Sequence, residues 1–441
     1  MGRVIVRPKN DISNIRLSLE RYAGNPILKP ISKNRWETKA VFNPAAIYEG
    51  GKVHILYRAI GEDDVSVLGY ASSIDGFTIN ERFNEPVYVP REPFEGVNPA
   101  SQSQSQMSGI YVSGGGGMGG CEDPRLTKID ERVYLTYVAY DGCSPPRVAL
   151  SSIRADDFLN RDWNWEKPVL ISPPGIVNKN ACILPEKIGG KYVIFHRIFP
   201  NILIDFVDDL NFDGRTRWLE GQYKIPARTL SSDWDNLKVG CGPPPIKTKD
   251  GWLQIYQAVG NNDHYRYKIG AMLFDLSDPT RVLARTKNPI LEPDAVYENE
   301  GLKRGVVYPC GAALIDDRLF VYYGGADMVA CVASVKLGRF LEQLTANHRE
   351  TAPGRIPAGL STGVEEGPVP VRGYCAKCRQ VQEIKNPYRV VLKNNRVVIQ
   401  GFCSRCGRKV TSFGKSRPNQ KVKNPTDIHT FRSGPYNGGV T

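Results

Sequence analysis

The chain has 441 residues, of which 41% are hydrophobic, and a net charge of +12 at pH 7. This length suits one large domain with a small module, and the hydrophobic fraction excludes an intrinsically disordered protein. No run of about eighteen apolar residues is present, so we expect no transmembrane helix and no membrane partner. The first residues lack the apolar region of a secretory signal, and we therefore expect a cytoplasmic protein with reduced cysteines.

The positive charge is concentrated at the C-terminal end. Residues 371–441 contain 15 lysines and arginines against two acidic residues, a net charge of +13, which leaves −1 for residues 1–370. The basic character of the chain therefore gives no reason to assign nucleic-acid binding to its main part.

The first predicted element is a short amphipathic helix across residues 11–22, which Gly24 would end. Beyond it helical periodicity is almost absent. Short runs rich in β-forming residues alternate instead with glycine, proline, asparagine and aspartate. The sequence therefore predicts an all-β fold.

A weak repeat of strand, tight turn, strand, loop and strand occurs five times along this region. Between the units lie short segments typical of outer strands, at residues 25–28, 85–88, 167–170 and 288–291. Repeats of this length with three or four strands each are typical of β-propellers, so five units predict a five-bladed β-propeller. The alternative is a β-sandwich with accidental internal similarity.

A propeller would bring the starts of its innermost strands together around one axial cavity. The corresponding residues are Asn43, Asp123, Asn180, Gly242 and Pro309. Asp123 belongs to the sequence Gly-Cys-Glu-Asp-Pro-Arg at residues 120–125, which alone is more typical of a turn. Its place in the repeat predicts that the turn directs Asp123 into the cavity.

Several cations from other units would face Asp123, namely Arg58, Lys179, Arg197 and Lys238. Converging lysines and arginines bind anions, and the planar guanidinium group favours phosphate. An ordinary glycosidase requires two carboxylates, whereas an enzyme that uses phosphate as the nucleophile requires one general acid and a cationic cradle. The predicted set of residues fits the second pattern better.

These residues resemble glycoside hydrolase family 130, which contains β-mannoside phosphorylases and related mannosidases. The resemblance extends over about residues 20–345, and its motifs lie at residues 43–44, 56–59, 122–125, 178–181, 184–192, 196–197, 240–244 and 323–327. It implies a five-bladed propeller and inverting phosphorolysis of a β-mannosidic bond in a manno-oligosaccharide or mannosyl-glucose. The implied product is α-mannose 1-phosphate, inorganic phosphate is the co-substrate, and no catalytic metal is expected.

The family pattern also implies roles for individual residues. Asp123 would be the general acid, acting through a hydroxyl of the bound mannosyl unit. The positions that match the sugar-binding pattern are Asn43, Arg58 and Asp327. The positions that match the phosphate-binding pattern are Lys179, Asn180, Arg197 and Lys238. Gln257 departs from the pattern, because many relatives carry a histidine there.

Two other functions stay open at this point. One is a β-mannosidase that uses water on the same scaffold, and the other is a sugar-binding propeller without turnover. Hydrolytic members tend to lack the basic cradle, so its presence in this chain favours phosphorolysis.

A separate module is predicted at the C-terminal end. Cys375, Cys378, Cys403 and Cys406 form two CxxC pairs separated by 24 residues, a spacing typical of a zinc ribbon. A closed site of four cysteines is structural rather than catalytic. We therefore expect a catalytic domain with a short N-terminal extension at residues 1–350, a linker at 351–373, the ribbon at 374–413 and a basic, disordered tail at 414–441.

The excess charge of this module suits several partners. Nucleic acid, an acidic polymer, a protein partner or a second copy of the chain would all be attracted to it, and a solubilising appendage explains the charge equally well.

Overall fold

The structure is a computed structural model that describes residues 17–96, 115–351, 372–391 and 397–412. The chain divides into two compact units, Met1–Pro353 and Gly354–Thr441. The larger unit is built mainly of antiparallel strands, as the sequence predicted. The tail predicted at 414–441 lies outside the described residues. No helix in the described ranges has both the length and the apolar character needed to span a membrane.

The larger unit begins with β1 (Glu20–Arg21) and continues in five groups of antiparallel strands, of which the first two are joined into one eight-stranded sheet by the parallel pairing of Val65 with Gly119 and of Ser66 with Gly120. The first group is β2 (Ala40–Glu49), β3 (Lys52–Ile60), β4 (Val65–Ser73) and β5 (Glu81–Arg82). The second group is β6 (Gly119–Ile129), β7 (Arg132–Tyr140), β8 (Arg147–Arg154) and β9 (Val169–Leu170). The third group is β10 (Lys179–Ile183), β11 (Tyr192–Ile198), β12 (Asn201–Val207) and β13 (Tyr223–Ile225).

The two remaining groups complete the unit. The fourth group is β14 (Lys238–Cys241), β15 (Ile246–Thr248), β16 (Gly251–Val259), β17 (Lys268–Phe274) and β18 (Val282–Arg285). The fifth group is β19 (Val307–Ile315), β20 (Arg318–Gly325) and β21 (Val329–Lys336). The helices are α1 (Ala155–Asn160), α2 (Val296–Asn299) and α3 (Leu337–Thr351), with 3₁₀ turns at Arg35–Glu37 and Asn261–Asp263.

Hydrophobic clusters lie between successive groups of strands. Leu56 and Leu126 belong to the cluster shared by the first and second groups, and similar clusters join the second to the third, the third to the fourth and the fourth to the fifth. A further cluster, with Val41 and Val332, joins the fifth group to the first. Most residues of β2 and β6 are buried, as expected for strands that pack on both faces.

The start of the larger unit closes onto its end. β1 pairs with β21, and Leu28 forms an isolated bridge with Ala330. The predicted helix across residues 11–22 is wrong over its described part, because Glu20–Arg21 is a strand. Leu17 and Leu19 alternate with exposed neighbours and are buried against the fourth and fifth groups. A short isolated helix is marginal in water, so long-range pairing and burial decide the conformation.

The smaller unit contains one antiparallel sheet. Its strands are β22 (Arg372–Cys375), β23 (Gln380–Val391), β24 (Val397–Cys403) and β25 (Lys409–Ser412), paired in chain order. Its buried cluster consists of Ile384, Val410, Cys375 and Cys403, with Cys378 and Cys406 packed against it. This small core therefore includes two of the four predicted metal ligands and contacts the other two.

Candidate active site

Three side chains of the site lie at equivalent distortions of the strands β2, β6 and β10. Asn43, Asp123 and Asn180 have positive φ angles of 49°, 50° and 58°. At each of these positions the pairing with the next strand shifts register, as it does in a β-bulge. Asparagine and aspartate tolerate this left-handed conformation better than other side chains. A bulge changes the direction of a side chain, and it is therefore the local cause of the predicted convergence.

Asp123 lies at the centre of a buried polar network. Asn43 Nδ2 donates a hydrogen bond to Asp123 Oδ1 at 2.7 Å, and Arg58 Nη1 approaches the same oxygen at 3.2 Å. Arg125 Nη1 donates to the main-chain oxygen of Asp123 at 2.7 Å. Burial alone would raise the pKa of Asp123, but Arg58 and Arg125 outweigh burial and hold that pKa below its ordinary value. In the free protein Asp123 is therefore a carboxylate at neutral pH.

Glu122 connects two cations that the sequence pattern assigned to different ligands. Its Oε1 lies 3.2 Å from Arg58 Nη2, and its Oε2 lies 3.5 Å from Lys179 Nζ. The side chains of Arg58 and Glu122 are fully buried, and that of Lys179 is 12% exposed. No role for Glu122 was evident from the sequence, although it directly precedes Asp123.

Asp327 brings a third carboxylate to this network from the turn after β20. It is 5% exposed and has a φ of 53°. Burial raises the pKa of Asp327 to about 6, with Lys303 and Arg58 opposing the shift and Asp123 adding to it. Because the charges of Arg58, Glu122 and Asp123 all act on Asp327, its carboxyl group lies close to these three side chains.

A second cluster of cations surrounds Tyr267. Lys238 Nζ donates to the Tyr267 hydroxyl at 2.6 Å, and Lys303 Nζ lies 4.4 Å from the centroid of the ring. Burial would raise the pKa of Tyr267, but Lys238, Lys303 and Arg197 outweigh burial and lower that pKa to about 8. This concentration of positive charge stabilises a phenolate, and it would also stabilise a bound anion.

Asn180 and Gln257 lie side by side over Gly240. A Cβ on Gly240 would come within 2.5 Å of Asn180 Oδ1 and 2.8 Å of Gln257 Nε2, so a glycine is needed for this approach. Asn180 Nδ2 donates to the hydroxyl of Tyr308. Asn180 Oδ1 and both polar atoms of Gln257 are buried and have no hydrogen-bond partner within the described part of the chain. Buried polar groups of this kind are typical of ligand sites.

His196 has a supporting place in the third group. Its Nε2 lies 2.7 Å from Asp205 Oδ2, and its Nδ1 lies 3.0 Å from Asn178 Oδ1. Both ring nitrogens are therefore engaged within the protein. This arrangement anchors β11 next to Arg197, whose partner in the β10 register is Lys179.

The structure brings the predicted residues together in two connected groups. Asn43, Arg58, Asp123, Lys179 and Asp327 form or adjoin the carboxylate network. Arg197 and Lys238 contribute to the cation cluster around Tyr267. Asn180 contacts Tyr308, whose ring lies 5.9 Å from the Arg125 guanidinium carbon.

Several residues of the site were not predicted from the sequence. Glu122 had a signal, because it belongs to the same motif as Asp123. Tyr267, Lys303 and Tyr308 had no comparable signal, since Lys303 lies in a loop, Tyr267 directly precedes β17, and Tyr308 lies within β19 without a distinctive pattern around it.

The four cysteines of the smaller unit also converge. Their sulfur atoms all lie within 4.8 Å of one another. Cys375 Sγ is 3.5 Å from Cys406 Sγ, and Cys378 Sγ is 3.8 Å from Cys403 Sγ. A zinc tetrahedron with bonds of about 2.3 Å has sulfur–sulfur edges of about 3.8 Å, so the donor set fits this metal.

Comparison with known proteins gives two family matches. Residues 18–345 match the family model Glyco_hydro_130, described as β-1,4-mannooligosaccharide phosphorylase. Residues 374–413 match DUF5679, a domain of unknown function.

Two characterised relatives come from Thermoanaerobacter sp. (strain X514). The 1,2-β-oligomannan phosphorylase is 38% identical over 73% of this chain and 98% of its own length. The β-1,2-mannobiose phosphorylase is 40% identical over 72% of this chain and 97% of its own length. A β-1,4-mannooligosaccharide phosphorylase from Ruminococcus albus is 30% identical over 71% of this chain and 87% of its own length.

Solved structures show the same relationship. The complex of β-1,2-mannobiose phosphorylase from Listeria innocua with β-1,2-mannobiose has a TM-score of 0.58 at 26% identity, covering 74% of this chain and 99% of that chain. A structure described with the glycoside hydrolases of this family that target β-1,2-mannosidic linkages in Candida mannan has a TM-score of 0.57 at 26% identity, covering 75% and 96%. The match to the family model and the relatives at 38–40% identity together show that this chain belongs to glycoside hydrolase family 130.

Proposed function

We propose that the larger unit is a five-bladed β-propeller with its active site on the axis. Five successive groups of antiparallel strands support this architecture, although the first two share one sheet through the parallel pairing of β4 with β6, and the hydrophobic clusters between the groups return from the fifth group to the first. β1 would then close the last blade with a strand from the start of the chain. The boundary between the compact units at Pro353 and the family match to residue 345 support a catalytic domain that ends near residue 350.

The activity we propose is inverting phosphorolysis of β-mannosidic bonds. The observation that carries it is the buried bulge carboxylate Asp123, which has Lys179 among its charged neighbours, together with the cluster of Arg197 and Lys238 around Tyr267. The relatives at 38–40% identity are phosphorylases of β-linked mannosides, which agrees with a site built to bind an anion.

In this mechanism phosphate attacks the anomeric carbon from the face opposite the leaving oxygen. The bond from carbon to the leaving oxygen breaks, and a bond from carbon to a phosphate oxygen forms with inverted configuration. Asp123 supplies a proton to the leaving oxygen through a hydroxyl of the mannosyl unit, and the products are α-mannose 1-phosphate and a shortened acceptor. Asn43, Arg58 and Asp327 hold the mannosyl unit, whereas Lys179, Asn180, Arg197 and Lys238 hold the phosphate.

The lowered pKa of Asp123 in the free protein has a direct consequence for this mechanism. A general acid must carry a proton, yet Arg58 and Arg125 favour the carboxylate form of Asp123. A phosphate dianion bound at the neighbouring cations would offset their charge and raise the pKa of Asp123. Phosphate would therefore prepare the acid for the reaction in addition to acting as the nucleophile.

We further propose β-1,2-linked mannosides as the substrate class. The relatives that act on β-1,2 linkages are 38–40% identical to this chain, and the Ruminococcus albus relative named for β-1,4 linkages is 30% identical.

The test is a product assay with β-1,2-mannobiose in the presence and absence of inorganic phosphate. We expect phosphate-dependent formation of α-mannose 1-phosphate, detected by phosphorus and proton NMR. Free mannose without phosphate would indicate the hydrolysis seen in some family members instead. Absence of both products would indicate a binding protein and contradict the proposal. β-1,4-Mannobiose and mannosyl-glucose serve as the comparison substrates for linkage.

For the smaller unit we propose a structural zinc site held by Cys375, Cys378, Cys403 and Cys406. The sulfur–sulfur distances of 3.5 and 3.8 Å support it, as does the pairing of two CxxC turns. Zinc would supply four strong bonds to a unit with a small buried cluster and hence much of its folding energy. We assign this site no part in the reaction.

A further inference from the structure

The described strands and turns of the smaller unit carry a strong positive charge. Residues 372–391 and 397–412 contain eight lysines and arginines and one acidic residue, Glu383. Four thiolates on a zinc ion would add two negative charges to this balance, so a net charge of about +5 would remain. This surface therefore attracts polyanions.

Half of these cations lie in or directly after the two CxxC turns. Lys377 and Arg379 belong to the first turn, Arg405 and Arg408 belong to the second, and all four side chains are exposed. The sulfur atoms of both turns lie within 4.8 Å of one another, so the turns bring the four cations to the same end of the unit.

The four-stranded sheet of this unit has one buried face and one open face. The buried cluster lies on the first face and includes Cys375, Ile384, Cys403 and Val410. Successive side chains of a strand point to opposite faces, so the neighbours of these four residues lie on the second face. This outer face consists of Tyr374, Val381, Glu383, Lys385, Phe402 and Lys409.

Aromatic rings and cations are interleaved across the outer face. Tyr374 is 60% exposed and pairs with Val381, which is 58% exposed. Phe402 is half-buried and lies between its two strand partners, the exposed Lys385 and Lys409. Neighbouring apolar side chains that stay uncovered on so small a unit are typical of a surface that binds a partner.

The combination of rings and cations distinguishes between classes of ligand. A neutral polysaccharide would use the rings but gain nothing from the cations, and an acidic peptide would pair with the cations but offer the rings no planar partner. Single-stranded nucleic acid uses both, because its phosphates pair with lysine and arginine and its unstacked bases lie on aromatic rings. In a duplex the bases are stacked on one another and cannot reach the rings.

We propose that the outer face of the smaller unit binds single-stranded nucleic acid without sequence preference. Tyr374 and Phe402 would stack on bases. Lys385, Lys409 and the cations of the two CxxC turns would contact phosphates. The β23 partners of the two rings, Val381 and Lys385, are four residues apart, a distance of about 13 Å, so the rings would serve different bases of one strand. The inference is independent of the phosphorolysis proposed for the larger unit.

The test is fluorescence anisotropy of a labelled oligouridine of about twelve nucleotides with the purified full-length chain. We expect saturable binding that weakens as the salt concentration rises from about 50 to about 200 mM. Tyr374→Ala should raise the Kd by about five- to a hundredfold at constant salt, because one base loses its stacking partner. Tyr48→Ala is the matched control and should leave the Kd unchanged, because Tyr48 is a 40% exposed tyrosine of the larger unit.

A double variant with Lys385→Gln and Lys409→Gln tests the phosphate contacts. Each contact to a single strand contributes about 0.7 to the slope of log K against log salt concentration, so this slope should become shallower by about 1.4. The corresponding control joins Lys224→Gln and Lys249→Gln, two exposed lysines of the larger unit, and should leave the slope unchanged.

Several results would overturn the proposal. One is the absence of binding at about 50 mM salt. Another is an unchanged Kd in Tyr374→Ala, or the same loss in Tyr48→Ala, since the rings of the outer face would then have no part. Binding of polyglutamate or of a β-1,2-linked mannotetraose as tightly as oligouridine would indicate a different ligand class. If amide hydrogen exchange shows that Tyr374→Ala unfolds the smaller unit, the salt slope of the lysine variant decides.

Discussion

At the scale of single residues, the site depends on a conflict between charge and burial at Asp123. The carboxylate is 4% exposed, yet three cations and the Asn43 amide favour its ionised form. Arg58 also forms an ion pair with Glu122, so the loss of the Asp123 charge would not leave Arg58 without an ionic partner. A substitution at Asp123 can therefore remove the acid and still leave the network partly paired.

This sharing leads to a prediction for Asp123→Asn. We expect the phosphorolysis rate to fall by about 10²- to 10⁴-fold, because an amide cannot deliver the proton. Asparagine tolerates the φ of 50°, so the thermal midpoint should change little. Rates with β-1,2-mannobiose and a thermal melt measure the two effects. Unchanged activity would exclude Asp123 as the acid, and a large loss of stability would contradict the shared pairing of Arg58.

Asp327 provides a prediction about pH. Its pKa is raised from 3.8 to about 6 in the folded protein, so folding binds a proton between these values. The resulting stabilisation is complete below about pH 4 and is lost as the pH rises through about 6. Asp327→Asn does not titrate. The free energy of unfolding of Asp327→Asn minus that of the unmodified protein should therefore increase by roughly 2–3 kcal/mol from pH 4 to pH 8.

Urea denaturation of both proteins at the two pH values measures this difference. Asp317→Asn is a suitable control, since Asp317 lies at a surface turn. The same difference in both variants, or none in Asp327→Asn, would contradict a buried carboxyl with a raised pKa.

The sequence anticipated this network unevenly. Asp123, Arg58 and Lys179 could be predicted from the sequence because each occupies a fixed place in the repeated strand pattern. Tyr267 and Lys303 could not be predicted from the sequence, because the contact between them depends on two loops that the hydrogen bond from Tyr267 to Gly305 holds together. Contacts between loops that are distant in sequence leave no periodic signal.

At the scale of elements, the clearest case is the four-stranded smaller unit. The two CxxC turns predict the cysteine cluster from the sequence alone, because each turn holds two ligands close together. β1 shows the opposite case, since its local sequence favoured a helix and pairing with β21 made it a strand.

For the smaller unit we predict that the purified chain contains one zinc ion and loses the fold of this unit on chelation. Cys403→Ser should have the same effect, because the cluster around Ile384 and Val410 is too small to stabilise the sheet alone. Metal analysis and amide hydrogen exchange of residues 372–412 measure the two results. Cys143→Ser, in the larger unit, is the control and should retain the metal. A fully protected, metal-free unit would contradict the assignment.

At the scale of the whole molecule, β1 closes the larger unit onto itself. Leu17 and Leu19 are buried, and Arg21 contacts Glu298 through two bonds of 2.8 and 2.9 Å. The repeats were visible in the sequence because turn residues mark each unit. The closure was not visible, because it joins residues separated by about three hundred positions.

Deletion of residues 1–22 should therefore destabilise the larger unit. Burial of the two leucines alone contributes about 3–6 kcal/mol, and Glu298 would lose its Arg21 partner. Deletion of residues 1–16 is the matched control, because it leaves β1 and both leucines in place. Thermal melts of the two shortened chains give the answer, and equal midpoints would show that β1 has no part in closure.

The bulges at Asn43, Asp123 and Asn180 also limit how this active site can evolve. Their left-handed backbone admits aspartate, asparagine and glycine with little strain and disfavours most other residues. Aspartate and asparagine codons differ by a single nucleotide, so an acid can become a neutral hydrogen-bonding group, or the reverse, without disturbing the strand. The same backbone feature that directs these side chains thus leaves descendants of this protein a short mutational path between a site that can protonate a leaving group and one that only binds the sugar.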